Sequence, residues 1–231
     1  MSILTNRIEG AAWHKDVSKY RVLLVGAGAT GSMAGFYLSR LGISHITIVD
    51  FDTFDYHNCH TQLASYQDVG QNKADVLSRF LLQYVPKSNV MTFNSSIEEC
   101  VEDDYFDPGS FDIIVCAADK MSVRQYCFDL FKECGTSLFI DPRIAAEFLE
   151  IYSVCQENPS NWGKYEERLF SDEEGTVGAC NYQQSTHCAG IAGGLIAQLV
   201  TNYATEKMLD DYAIPLKLTY DLRSITFTHD Y

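Results

Sequence analysis

Val22, Leu23, Leu24 and Val25 form a short, unbroken apolar run that ends in a cluster of glycines. A run of this length, bounded by glycine and followed by a helical period, predicts a strand buried on both faces of a parallel sheet. Residues 21–25 form the first such strand, 30–40 a helix whose pattern continues to Leu41, and 46–50 a second strand ending in Asp50. Over 72–85 the apolar residues Val76, Leu77, Phe80, Leu81 and Tyr84 recur with a period of about 3.6 residues, as in an amphipathic helix. Residues 90–94 fit a third strand, 112–117 a fully buried one, 121–134 a helix and 137–141 another buried strand.

Strands alternating with helices imply an α/β fold, a doubly wound and mostly parallel sheet with right-handed crossovers. After Asp141 the rhythm changes. Residues 147–155 read as an exposed strand, and 156–179 as a polar, mobile loop rich in acid and glycine. Residues 185–208 form a helix rich in Ala and Gly, and 216–221 with 224–228 a C-terminal antiparallel hairpin. Residues 1–19 read as an N-terminal arm or short helices, with Trp13 the one large anchor. Nothing repeats, and no linker divides the chain, so residues 1–231 are expected to form a single domain.

Composition narrows the function. A formal charge of −14 argues against a nucleic-acid surface, which needs a basic footprint. No apolar run approaches the roughly 18 residues of a membrane span, and the start of the chain lacks the pattern of a secretory signal. Eight cysteines without a C-x-x-C pair suggest neither a zinc site nor a disulfide framework, so a reduced, cytoplasmic setting is expected.

The candidate chemistry begins at Gly26, Gly28 and Gly31, which join the first strand to the first helix. A helix N-terminus entered through glycines offers free N–H groups and a positive dipole end to a phosphate. Asp50, about twenty residues on, stands where a ribose hydroxyl is held in dinucleotide sites. Asp52, Asn58 and Gln62 follow on the same crevice loop, Lys73 opens the next helix, and Asp119 lies just past a buried strand. A phosphate-facing Lys and a second strand-end acid suit a nucleoside triphosphate with magnesium better than NAD, since hydride transfer requires neither.

Taken in order, these motifs resemble the ThiF/MoeB family of adenylation domains, shared with ubiquitin-activating enzymes. They are G-x-G-x-x-G, D-x-D followed by N-x-x-x-Q, G-x-x-K, and the D-x-x-x-x-R of Asp119 and Arg124. The resemblance implies a Rossmann-like adenylation fold over nearly the whole chain. It implies that Gly26, Gly28 and Gly31 cradle ATP, that Asp50 binds its ribose, and that Asn58 and Lys73 meet the phosphates. Asp119 would hold Mg2+. The implied reaction is adenylation of a carboxylate, typically the C-terminal glycine of a ubiquitin-like or sulfur-carrier protein, with loss of pyrophosphate. A homodimer is also implied. The sequence departs from the pattern at Thr61, where relatives place an Arg before the Gln, and at Lys120, where an Asn is common. Arg7 and Arg143 are the candidate replacements for that Arg.

Cys180 resembles the thioester cysteine of the minimal eukaryotic activating enzymes, six residues before Thr186 and ahead of a small-residue helix. Two readings of it stand open, a nucleophile activated near a helix N-terminus and a small buried residue. The acidic run Glu166, Glu167, Asp172, Glu173 and Glu174 reads as a solvated loop or as a contact for a basic tail. His57 and His60 lack a third ligand and so do not make a metal site. The alternatives to carrier-protein activation are a peptide- or RNA-modifying adenylyltransferase without a thioester, a catalytically impaired nucleotide-binding adaptor, and an NAD(P)-dependent oxidoreductase.

Overall fold

The apolar run Arg21–Val25 forms β1, and its alternating side chains seed two cores. Val22 and Leu24 pack to one side of the sheet and Leu23 and Val25 to the other, as the twofold period of a strand requires. The computed structural model describes residues 17–175, 185–209 and 214–231.

In chain order β1 is followed by α1 (Ala29–Leu41), β2 (His45–Val49), α2 (Lys73–Tyr84), β3 (Asn89–Phe93) and α3 (Ile97–Glu102). Next come β4 (Ile113–Cys116), α4 (Met121–Cys134), β5 (Leu138–Ala145) and β6 (Phe148–Cys155). Two short helices, α5 (Ser160–Glu166) and α6 (Asp172–Gly175), precede α7 (Thr186–Leu209), β7 (Lys217–Asp221) and β8 (Thr226–Asp230).

One eight-stranded sheet has the order β3-β2-β1-β4-β5-β6-β7-β8. The first five strands along that order are parallel, and β6, β7 and β8 are antiparallel. The chain winds outward from β1 to β3, then returns to the other side of β1 to lay down β4. That reversal leaves a crevice beyond the C-terminal ends of β1 and β4, where open α/β sheets bind ligands. Helices α1, α2 and α7 cover one face, and α3, α4 and α5 the other. The doubly wound, mostly parallel sheet is therefore present.

Two expectations need correction. Residues 147–155 form β6, but most of it is buried, because β5 and β7 flank it and both of its faces are covered. Leu149 and Ile151 join the core under α7, while Tyr152 and Val154 pack beside Tyr165 on the opposite face. Residues 156–179, read as one loop, carry α5 and α6, and α5 places the fully buried Tyr165 in the second core. Of the arm 1–19, residues 17–19 form a single helical turn in which Val17 is buried. Trp13, Arg7 and Cys180 lie outside the described residues.

Glycine lets α7 approach α1 closely. Gly193 of α7 lies so near α1 that a Cβ there would stand 2.7 Å from the Met33 carbonyl carbon. Around Gly194, by contrast, no described atom lies within 4 Å of such a Cβ. Gly193→Ala should therefore destabilise by about 1–3 kcal/mol through overpacking, which outweighs its gain in helix propensity. Gly194→Ala should leave stability equal or raise it by up to about 1 kcal/mol. Urea unfolding of the two variants checks the contrast.

Candidate functional site

The strand-to-helix turn after β1 is shaped by backbone contact. Gly26 has φ +93°, and a Cβ on it would lie 2.8 Å from the Ala117 carbonyl oxygen, so glycine is required twice over. Its N–H donates to the Val49 carbonyl at 2.9 Å, and the Ala117 N–H donates to Val25 at 2.8 Å. These bonds extend the parallel ladder one residue past the ends of β1 and β4. Gly28 then begins α1 without any side-chain cap, which leaves the first N–H groups of that helix to a ligand.

The crevice above this turn is a cavity of about 340 Å³. Gly26, Gly28, Asp50, Asp52, Gln62, Lys73 and Asp119 all line it. Asp50 Oδ2 accepts from the Ala27 N–H at 2.6 Å, and its Oδ1 from the Asp52 N–H at 2.8 Å. Burial pushes this carboxyl above the ordinary aspartate value, against the two backbone donors and Lys73, which pull it down. Lys73 is buried in the first turn of α2, and its Nζ lies 2.8 Å from Asp52 Oδ2. Asn72 fixes that arrangement. Its Oδ1 caps α2 through the N–H groups of Ala74 and Asp75, while its Nδ2 donates to the carbonyls of Asp50 and Asp52. Asp52 thus holds Lys73 at the cavity wall as its counter-ion.

Two motif residues stand elsewhere. Gly31 is buried inside α1, where a Cβ would meet the Gly26 carbonyl oxygen at 1.9 Å, so it serves the packing of the turn. Asn58 sits in a helical turn outside the cavity lining, and its Oδ1 accepts from the Asp55 N–H at 2.9 Å in a capping box. Thr61 is absent from the lining as well.

Several lining residues carry no motif signal. Phe51 is 60% exposed between the two aspartates and offers a free aromatic face. Ser95, Ser96 and Glu98 close the far rim at the start of α3, a helix whose Ser96–Glu99 capping box is legible in the sequence once β3 is placed. Gln62 Oε1 is buried with no hydrogen-bond partner among the described residues, and its amide hangs over Gly28. An orphan acceptor of this kind costs about 1–3 kcal/mol unless a ligand donor meets it.

Beyond β4, Asp119 is exposed and lines the cavity, but Arg124 is buried. Arg124 pairs with the fully buried Asp141, and its Nη2 donates to the Ala118 carbonyl at 2.6 Å. Asp141 also accepts from Arg143 Nε at 2.8 Å and from the Tyr165 hydroxyl at 2.9 Å. Arg143 is thereby committed to the core network and to the Arg168 carbonyl, and it does not reach the cavity. Among the described lining residues the cations are Lys73 and Lys120.

A metal cage is not formed, because no group of three or more His, Cys, Asp or Glu converges among the described residues. Asp119, exposed in the cavity lining, has the chemistry to suit magnesium, which keeps several waters and takes one or two protein carboxylates plus phosphates, whereas the other exposed aspartate of the lining, Asp52, is paired with Lys73. Burial pushes the Cys188 thiol up to about 11, which makes it a poor nucleophile. A larger open cleft of about 650 Å³ adjoins Gln62 on its other side. Its Arg79 is already bound by Asp68 and Gln71, so no unpaired charge there awaits an anion. No described helix is long and apolar enough to cross a membrane.

The profile described as the ThiF family matches residues 2–229. The catalytic subunit of the NEDD8-activating enzyme E1 from Caenorhabditis elegans is 33% identical over 107 residues, which are 46% of this chain and 24% of that protein. The adenylyltransferase and sulfurtransferase UBA4 of Debaryomyces hansenii is 31% identical over 124 residues, 53% of this chain and 27% of that protein. The match thus spans only about a quarter of each of these relatives. Among solved structures, E. coli MccB superposes with TM-score 0.75 at 17% identity, covering 99% of this chain and 69% of that one. MccB solved with ATP gives TM-score 0.69 at 19% identity, covering 95% and 65%. At such identities these superpositions establish the fold.

Asp141, inside β5, and Asp119, beyond β4, should separate by stability. Asp141→Ala leaves the Arg124 charge buried and unpaired and should cost about 3–5 kcal/mol. Asp119→Ala, at an exposed position, should stay within about 0.5 kcal/mol. Chemical denaturation of both variants measures the difference.

Proposed function

The chain belongs to the ThiF family, and from that premise we propose that it binds ATP with magnesium in the β1–β4 crevice and adenylates a carboxylate. The observation that carries this reading is the convergence of an uncapped helix N-terminus, Asp50, Lys73 and Asp119 on one cavity. The carboxylate is the C terminus of a ubiquitin-like or sulfur-carrier protein, the class suggested by relatives named as a NEDD8-activating enzyme and as an adenylyltransferase and sulfurtransferase. One carboxylate oxygen attacks the α-phosphorus, and the bond to the pyrophosphate oxygen breaks.

Each residue has a positional task. The N–H groups at the start of α1 receive phosphate oxygens, and Asp50 accepts from the ribose hydroxyls with the lone pairs its backbone contacts leave over. Gln62 Oε1 takes a nucleotide donor, and Phe51 flanks the base. Lys73 leaves Asp52 or shares it, and so offsets the charge that builds on the α-phosphate as it is attacked. Asp119 would hold magnesium, which would supply the remaining charge neutralisation. The rate enhancement is then one of positioning and electrostatics.

Cys180, outside the described residues, is the proposed thioester acceptor. Its thiolate attacks the acyl carbon and AMP departs. A homodimer is proposed as well, with Arg7 of a second copy as a source of the charge missing at Thr61. One observation favours an impaired adaptor as the second reading. With Arg143 tied to Asp141, a triphosphate meets only Lys73 and Lys120 among the described lining residues.

ATP–pyrophosphate exchange, assayed with candidate ubiquitin-like and sulfur-carrier proteins, tests the proposal. Lys73→Ala and Asp119→Ala should each lower exchange by about 10²–10³-fold. Cys180→Ala should exchange normally while losing a thiol-reducible adduct with the acceptor. ATP binding with no exchange on any acceptor would favour the adaptor, and tight NAD binding in place of ATP would sink both.

A further inference from the structure

The acidic run of residues 166–174 has an ordered role. Glu166 pairs with Lys132 of α4 at 2.7 Å, and Glu174 caps its own short helix by accepting from the Ser171 N–H. Asp172 reaches furthest. Its Oδ1 accepts from the N–H groups of Met121 and Ser122 at 2.6 and 3.1 Å, and its Oδ2 from the Ser122 hydroxyl at 2.7 Å. These contacts hold its carboxyl below the ordinary aspartate value, the Ser122 hydroxyl first among them.

The N–H groups that Asp172 takes are the first of α4, a helix whose own N-cap residue, Lys120, provides no side-chain cap. Just before Lys120 stands Asp119. An aspartate in that place ordinarily folds its carboxylate back onto the N–H two residues ahead, here Met121, as an Asx turn. That donor is already occupied. A carboxylate arriving from 51 residues away along the chain satisfies it, and Asp119 faces the cavity instead. On the other side, the Arg124 guanidinium, locked by Asp141, grips the Ala118 carbonyl. The turn that carries Asp119 is thus clamped at Ala118 and at Met121.

We propose that Asp172 is a positioning residue for the nucleotide site, capping α4 in place of Asp119 so that the Asp119 carboxylate stays in the cavity. The inference rests on the reading of that cavity as a magnesium–ATP site. Removing Asp172 leaves two N–H groups of α4 without an acceptor, and Asp119 becomes the nearest carboxylate able to satisfy them. It then turns away from the phosphates. An asparagine at 172 keeps the acceptor oxygen and is as good a cap as aspartate.

Calorimetric titration with ATP, in magnesium and separately in EDTA, tests this on the wild type, Asp172→Ala, Asp172→Asn and Asp119→Ala. Asp172→Ala should lose about fivefold in affinity in magnesium, the factor that goes with one helix cap, and change little in EDTA. Asp119→Ala should show the same selective loss, and Asp172→Asn should stay within twofold of wild type. A merely structural role would lower affinity equally in both media, and that result would overturn the proposal. So would wild-type behaviour of Asp172→Ala, or an Asn variant as impaired as the Ala variant. A wild type that fails to bind ATP in either medium would instead bring down the underlying reading and this inference with it. If Asp172→Ala does not fold, Ser122→Ala, which removes one of the three contacts, should show a smaller loss confined to magnesium, and no loss would overturn the proposal.

Discussion

Gly26 approaches Ala117 so closely that a Cβ on it would overlap the Ala117 carbonyl, and the site depends on that approach. Because no side chain intervenes, the turn after β1 and the turn after β4 share one floor. The helix that follows can then aim its N-terminus over the strand ends. Gly31 repeats the constraint one helical turn later, against the Gly26 carbonyl itself. A side chain at either position would push α1 off the sheet and close the crevice between the two strands.

Around that floor, carboxylates are divided by burial and by partner. Asp141 is fully buried and holds two arginines and a tyrosine hydroxyl, so its work is structural. Asp50 is anchored by two backbone N–H groups at the end of β2, which fixes its oxygens toward the cavity. Asp52 accompanies Lys73, and Asp172 caps α4. Asp119 stands exposed at the cavity, and its backbone is clamped on both sides. The proposed triphosphate site is compatible with an acidic chain because Asp50, Asp52, Asp141 and Asp172 already have partners.

Much of the fold was legible because continuous apolar runs and a helical period are local signals. The runs around Val22, Ile48 and Ile114 and the stripe from Val76 to Tyr84 mark strands and a helix within a residue or two of their true ends. The failures share a cause. β6 reads as exposed because Glu150 and Ser153 interrupt its apolar pattern, yet Ser153 donates to the Pro215 carbonyl and Glu150 pairs with Lys217 across the sheet. α5 was missed because a short segment of polar residues becomes a helix by burying Tyr165 and Trp162 against α4 and the sheet, a long-range contact.

The candidate site divides in the same way. Residue types and their order are readable along the chain, since glycines at a strand end, an acid after the second strand and a Lys opening a helix are local requirements of phosphate binding. Packing in three dimensions selected which of them face the cavity. Asn58 and Gly31 match the motif and lie outside the lining, while Phe51 and Ser95 carry no motif and lie within it. It also decided that Arg124 and Arg143 serve the core and that Asp172, in an acidic run, caps a helix far along the chain. The physical reason is that a charged side chain's role is set by the partner that satisfies it, and those partners come from elements far apart in sequence.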